Sequence, residues 1–260
     1  MSLGVDFEAA AARKKLAEIG RVVLVGSGKG GVGKTVVSCG LALSLAGMKK
    51  RVGLLDIDVH GASVPSYLGL RPPLRTSGMG IAPLRKGRVA VMSLALFTGD
   101  NPIPVRGEKK RALLTQLFAR TGWGKLDYLV VDLPPGTGDE LLAALAIFGT
   151  KAEMVLVTTP SRGALGVVGR LRKLVDSERV PVVGSVVNMA YSQDGRKRTY
   201  PFGRPDRPEI QKELGAPIIA ELPLEPRVSS LGLVKVLTGR GRLGKEMVVL
   251  GNMVARMPER

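Results

Sequence analysis

The chain's 260 residues suffice for one large α/β domain around a well-buried sheet, and its apolar content is aliphatic far more than aromatic. No apolar run approaches the roughly 18 residues of a membrane-spanning helix and the first residues carry no signal-peptide core, so a cytoplasmic protein is expected. The net charge of +17 gathers in small clusters, Lys49-Lys50-Arg51, Arg85-Lys86-Arg88, Lys109-Lys110-Arg111 and Arg196-Lys197-Arg198. A contiguous basic face would select nucleic acid, anionic lipid or an acidic protein partner. Solvated charge on a heat-adapted surface is the alternative, toward which only three Asn and three Gln lean.

In chain order, residues 7–19 predict a helix with Asp6 as its N-cap. The aliphatic run Val22-Val23-Leu24-Val25 predicts a strand, and Val36 to Ala46 a helix. A second strand, Val52 to Leu55, ends in Asp56-Ile57-Asp58, and further apolar strands fall at about 89–95, 128–132, 154–158, 182–187 and 217–222. Near-continuous Val/Leu/Ile strands alternating with helices require a mostly parallel sheet covered on both faces. That is a doubly wound α/β fold, with ligands at the carboxyl ends of the strands. No internal repeat or long linker divides the chain. It reads as one domain over 1–260, with a helix at about 6–20, a nucleotide-binding core at about 21–240 and a last helix at about 243–257. Leu70 to Gly87, rich in Pro, Gly and Arg, reads as a surface excursion. Leu243, Met247, Leu250, Val254 and Met257 form one helical stripe. Docking on the sheet or on a dimer partner is favoured over binding a membrane.

Between the first strand and helix lies Gly28-Lys29-Gly30-Gly31-Val32-Gly33-Lys34-Thr35, a complete G-x-x-x-x-G-K-[ST] phosphate loop. Its glycines allow backbone angles that turn successive N–H groups toward phosphate oxygens, and the helix running through Val36 adds its positive end. Lys34 can reach the β- and γ-phosphates of ATP, and the Thr35 hydroxyl can ligate Mg²⁺. Of the carboxylates at the second strand's tip, one faces the site and the other braces the turn. Asp58 is assigned to the attacking water and Asp56 to the metal shell, with a pair of turn formers as the alternative. Leu129-Val130-Val131-Asp132 has the Walker B form, which places Asp132 on Mg²⁺, and Gly136 beyond Pro134-Pro135 offers an unhindered N–H to the γ-phosphate. Asn188 ends another strand with a donor and an acceptor that match the edge of adenine, or it serves as a turn residue. The Glu221-Leu222-Pro223-Leu224 strand end closes the base pocket. His60 reads as a turn residue. The single cysteine, Cys39, excludes an internal disulfide, cannot form a metal site alone and reads as a packed side chain in the loop's helix.

Lys29 narrows the reading. Lys29-Gly30-Gly31-Val32-Gly33-Lys34-Thr35 resembles the deviant Walker A of the MinD/ParA/Mrp class of ATPases. Asp56 through Pro65, Val105-Arg106-Gly107, Leu126 through Asp139, Val157-Thr158-Thr159-Pro160 and Val187-Asn188-Met189 look like successive blocks of the Mrp/ApbC group, over roughly residues 20–235. The resemblance implies a homodimeric, Mg²⁺-dependent ATPase, slow and partner-stimulated, in which Lys29 crosses a nucleotide-sandwich dimer to the partner's phosphates. In many members it also implies carriage of an iron–sulfur cluster on a C-x-x-C shortly after the Asn-Met block. This chain reads Tyr191-Ser192-Gln193-Asp194-Gly195-Arg196-Lys197-Arg198-Thr199-Tyr200 there, without the thiolates a cluster needs, so cluster binding is not carried over. Asp194-Gly195 predicts a hairpin turn with basic residues at its tip, for an acidic protein, nucleic acid or solvent. A second class remains open: a ParA/MinD-type partitioning or positioning ATPase that binds DNA or membrane through its basic surface. A P-loop transferase or small-molecule ligase is a weaker third.

Overall fold

The computed structural model describes residues 2–58, 61, 63–71, 73–77, 80–94, 96, 107–195, 197–239 and 241–258. Seven strands form the parallel heart of one sheet: β1 (Ile19–Ser27), β2 (Val52–Asp56), β6 (Val89–Ser93), β7 (Leu126–Asp132), β8 (Ala152–Thr158), β9 (Val182–Asp194) and β11 (Ile218–Pro223). Their spatial order is β11-β9-β8-β1-β7-β2-β6. Burial on both faces explains the unbroken aliphatic runs, since β2 and β8 have every residue buried. β1 lies at the centre between β7 and β8, so the loop that leaves it opens at the middle of the sheet's carboxyl edge.

Two apolar layers cover this sheet. One packs α1 (Ser2–Ala17), α4 (Glu108–Arg120), α5 (Asp139–Phe148), α6 (Arg162–Ser177) and α7 (Arg207–Leu214) on the face of Leu24, Leu55 and Val131. The other packs α2 (Lys34–Gly47), α3 (Val64–Leu68), α9 (Leu233–Thr238) and α10 (Arg242–Arg256) on the face of Val25, Leu54 and Val130. A short helix, α8 (Arg227–Leu231), precedes α9. The stripe Leu243, Met247, Leu250 and Val254 of α10 is buried, as expected of a docked helix. It comes so close to α2 that a Cβ on Gly40 would lie 2.4 Å from Met247 Sδ. Among the described residues no helix is long and apolar enough to cross a membrane.

Three expectations change. The first helix begins at Ser2, so Asp6 lies inside it rather than at its cap, because no proline interrupts residues 2–17. The excursion from Leu70 to Gly87 is partly ordered: β3 (Arg75–Ser77) and β4 (Gly80–Ala82) pair antiparallel, and β5 (Leu84–Lys86) joins β6 antiparallel at the sheet edge. One residue of the basic clusters leaves the surface, and another is held by a carboxylate. Lys110 is buried in an ion pair with Glu140, and the exposed Arg51 pairs with Asp127, while Lys49, Lys50, Lys109, Arg111, Lys197 and Arg198 are exposed. The expected hairpin is present, with β10 (Lys197–Thr199) antiparallel to the end of β9. His60, Val105, Arg106 and Arg196 lie outside the described residues.

Candidate functional site

Register builds the site. Asp132 on β7 stands level with Asp56 on β2, and Asp56 with Ser93 on β6, so all three side chains leave the sheet on the α2 face at its carboxyl edge. Asp132 is the hub. Its Oδ1 accepts from Lys34 Nζ at 2.6 Å and lies 2.7 Å from Ser38 Oγ, while its Oδ2 accepts from Thr35 Oγ1 at 2.8 Å. Lys34, Thr35 and Ser38 share one face of α2 because residues four apart on a helix align. Asp56 is fully buried: its Oδ1 accepts the Asp58 N–H at 3.2 Å, and its Oδ2 accepts from Val64 N and Ser93 Oγ, each at 3.1 Å.

Two carboxylates thus face one ammonium. Burial, reinforced by the charge of Asp132, pushes the Asp56 carboxyl up to about 7. Such a set of hard oxygens with surplus negative charge suits a small divalent cation, and Thr35, Asp132 and Asp56 could hold Mg²⁺. Asp58 is partly exposed and accepts the Gly61 N–H at 2.9 Å, so both carboxylates also brace the turn.

The loop itself has Gly31 and Gly33 at φ 79°, where only glycine is comfortable, and Gly33 caps α2. A Cβ on Gly33 would meet Asn188 Nδ2 at 2.2 Å, because that amide lies over the loop and donates to the Val32 carbonyl at 2.8 Å. Gly28 packs against the backbone of α6 at Val167 and Val168. Gly30 and Gly31 are exposed, and Lys29 beside them makes no ion pair among the described residues. Val36 follows in the first turn of α2.

A family model described as "ParA: NUBPL iron-transfer P-loop NTPase" matches residues 18–248. The chain belongs to this family. Among its relatives is the iron-sulfur cluster carrier protein of Bacillus subtilis, 38% identical over 204 residues, which covers 77% of this chain and 58% of that protein. The cytosolic Fe-S cluster assembly factor NUBP2 of Homo sapiens is 37% identical over 229 residues, 84% of each chain. This chain spans 58% of that Bacillus subtilis protein, and 41% and 61% of two other curated relatives, from Arabidopsis thaliana and Aquifex aeolicus. A solved nucleotide-binding protein from Archaeoglobus fulgidus, in complex with ADP, superposes with a TM-score of 0.71 at 30% identity over 96% of this chain and 94% of that one. The cell division ATPase MinD of Pyrococcus furiosus shares the fold, with a TM-score of 0.68 at 21% identity over 92% of this chain and 100% of that one.

Against the P-loop NTPase frame, Lys34, Thr35, Asp56 and Asp132 come together as the sequence predicts. Two expected free donors are engaged. The Gly136 N–H donates to the Ser27 carbonyl at 2.8 Å, because adjacent strands β1 and β7 bring their exits together. One N–H of the Asn188 amide is held by the Val32 carbonyl, which leaves its second N–H and its oxygen for a base. Pro223 and Leu224 line a cavity of about 390 Å³ together with Ser192, Asp194 and Arg227. Sequence reading missed Ser38 and Ser93, whose hydroxyls belong to no motif. It also missed Asp139 and Glu140, which tie the loop after β7 to Gly107 N and Lys110 of α4. An acidic pair directly after Gly138 was the available signal, since neither carboxylate was given a role. Thiolate chemistry does not fit this family member: Cys39 is fully buried in α2, and burial, with the carboxylates of Asp132 and Asp56, pushes its thiol well up.

Proposed function

We propose that this protein is a Mg²⁺-dependent ATPase that works as a cytoplasmic homodimeric switch in iron–sulfur cluster assembly, with any cluster carried as cargo on partner thiolates. The observation that carries the reading is the convergence of Lys34, Thr35 and Ser38 on Asp132 beside a second buried carboxylate. A Mg²⁺ ion at Thr35 and Asp132 would supply charge neutralisation for the phosphates. Lys34 would then leave Asp132 for the β- and γ-phosphates. The Asn188 oxygen and the rim at Pro223 would flank the base, and Asp58 would orient water. Gly28, Gly30, Gly31, Val32 and Gly33 would supply the phosphate-facing N–H groups, with Gly136 released from Ser27 when a γ-phosphate competes for it. Lys29, half-buried on the loop, would reach the partner's phosphates. The reading takes residues 21–240 as the nucleotide core, with α1 and α10 as flanking helices of the same domain.

Titration with ATP, with and without Mg²⁺, tests it. The native protein should bind ATP more tightly with the ion present, and Asp132→Asn should lose that gain while it still binds the metal-free nucleotide. An Asp132→Asn variant with an undiminished Mg²⁺ gain would overturn the assignment.

A further inference from the structure

The basic stretch after β9 has no part in the nucleotide site, and the fold turns it into a projecting ribbon. Ser192, Gln193 and Asp194 pair antiparallel with Thr199, Arg198 and Lys197. Residues 193–195 and 197–199 are exposed, as are Phe202, Gly203 and Arg204 on the path that follows. Two guanidinium groups lie over rings: Arg198 lies 4.3 Å from the Tyr191 ring centroid and Arg204 5.0 Å from that of Tyr200. Phe202 is 45% exposed, one of the barest large apolar side chains described.

Charge runs are usually solvated faces, and three observations set this one apart. Among the described residues Lys197, Arg198 and Arg204 make no ion pair. Of the acids nearby, Glu221 is paired with Arg207 and Glu225 with Arg227, which leaves Asp194 and the α7-capping Asp206 as local counter-charges to the three cations. Contact with the tyrosine rings also holds the arginine heads before any ligand arrives, which lowers the rotamer entropy lost on binding. Finally, cations interleaved with an exposed aromatic ring are what a strand with unstacked bases requires. Phosphates take the charges and a base takes the ring. An acidic peptide would use only the charges, and a duplex keeps its base faces stacked inside.

We infer that the β9–β10 ribbon and its return through Arg204 bind single-stranded nucleic acid, with Lys197, Arg198 and Arg204 on phosphates and Phe202 stacked on a base. This goes beyond the ATPase reading and does not depend on it. The test is fluorescence anisotropy of a labelled mixed-sequence single strand of about 20 nucleotides, as RNA and as DNA, against a duplex of equal length across a salt series. The full chain should prefer the single strand. Lys197→Gln with Arg198→Gln and Arg204→Gln should lower the slope of log affinity against log salt by about 2. Phe202→Ala should weaken single-strand binding about tenfold and leave that slope unchanged. ATP hydrolysis should be native in both variants, which shows that they fold. Absence of binding, binding unchanged in the triple variant, or duplex preference indifferent to Phe202→Ala would each overturn the inference.

Discussion

Two buried ion pairs sit at opposite ends of β1, and they differ in how completely they are satisfied. At the amino end Arg21 meets Glu153 at 2.5 Å, donates also to the carbonyls of Val254 at 3.0 Å and Met257 at 3.1 Å, and lies 5.5 Å from the Tyr128 ring centroid. One cation faces one carboxylate, and the remaining donors hold the end of α10. At the carboxyl end Lys34 meets Asp132 at 2.6 Å, yet a second buried carboxylate, Asp56, has no cation of its own. The first arrangement is closed. The second holds a carboxyl that burial and Asp132 push toward its protonated form, and that a metal ion would ionise and balance. Charge balance, more than burial, separates the structural pair from the site.

The largest effect that could break this contrast is catalytic. Lys34→Ala should lower ATP turnover by about 10²–10³-fold, whereas Arg21→Ala should leave turnover per folded molecule near native. A phosphate-release assay on both variants decides it, and equal losses would erase the distinction. Next comes stability. Arg21→Ala strands the Glu153 carboxylate and the two carbonyls, and should cost about 3–5 kcal/mol in denaturant unfolding. A cost under about 1 kcal/mol would mean that the closed pair holds nothing. Gly40→Ala sharpens the same point from the side. Its new methyl meets Met247 and lifts α10, whose last carbonyls Arg21 holds, so a loss of about 1–3 kcal/mol is expected. That loss should be less than additive with Arg21→Ala.

The smallest effect is a pH dependence. The Asp56 carboxyl titrates near 7 in the folded, nucleotide-free protein against 3.8 unfolded. A raised carboxyl favours the protonated fold, so its contribution is fully present below about pH 4 and fades as pH rises through 7. The metal-free protein should therefore melt at a higher temperature at pH 6 than at pH 8 as far as this group contributes, and Asp56→Asn should flatten that slope. An unchanged slope in Asp56→Asn would remove Asp56 as its source.

What the sequence made legible follows from the same contrast. The phosphate loop, Asp56 and Asp132 stand at strand ends, where an aliphatic run stopping at a charged residue marks the sheet's edge, and the parallel strands announce themselves by unbroken apolarity. Arg21 and Glu153 sit in different strands, 132 positions apart, and only strand order brings them together. Ser38 and Ser93 carry no pattern, because a hydroxyl becomes a partner only when register sets it beside a carboxylate. The Asn188 amide was assigned to a base from its position, and the close approach at Gly33, which sets one of its N–H groups on the Val32 carbonyl, carried no mark in the sequence. β5 was missed because Leu84-Arg85-Lys86 has too few apolar residues to stand out, and the sheet edge recruits it through backbone pairing alone.

The central claim is that ATP completes an unbalanced site and closes two copies of the chain over it through Lys29. Light scattering of the native protein, Lys29→Ala and Asp58→Ala, with and without Mg-ATP, tests it most directly. The account predicts that Mg-ATP doubles the native mass, that Asp58→Ala holds the dimer longer, and that Lys29→Ala stays monomeric. A mass indifferent to Mg-ATP, with Lys29→Ala behaving as native, would contradict it.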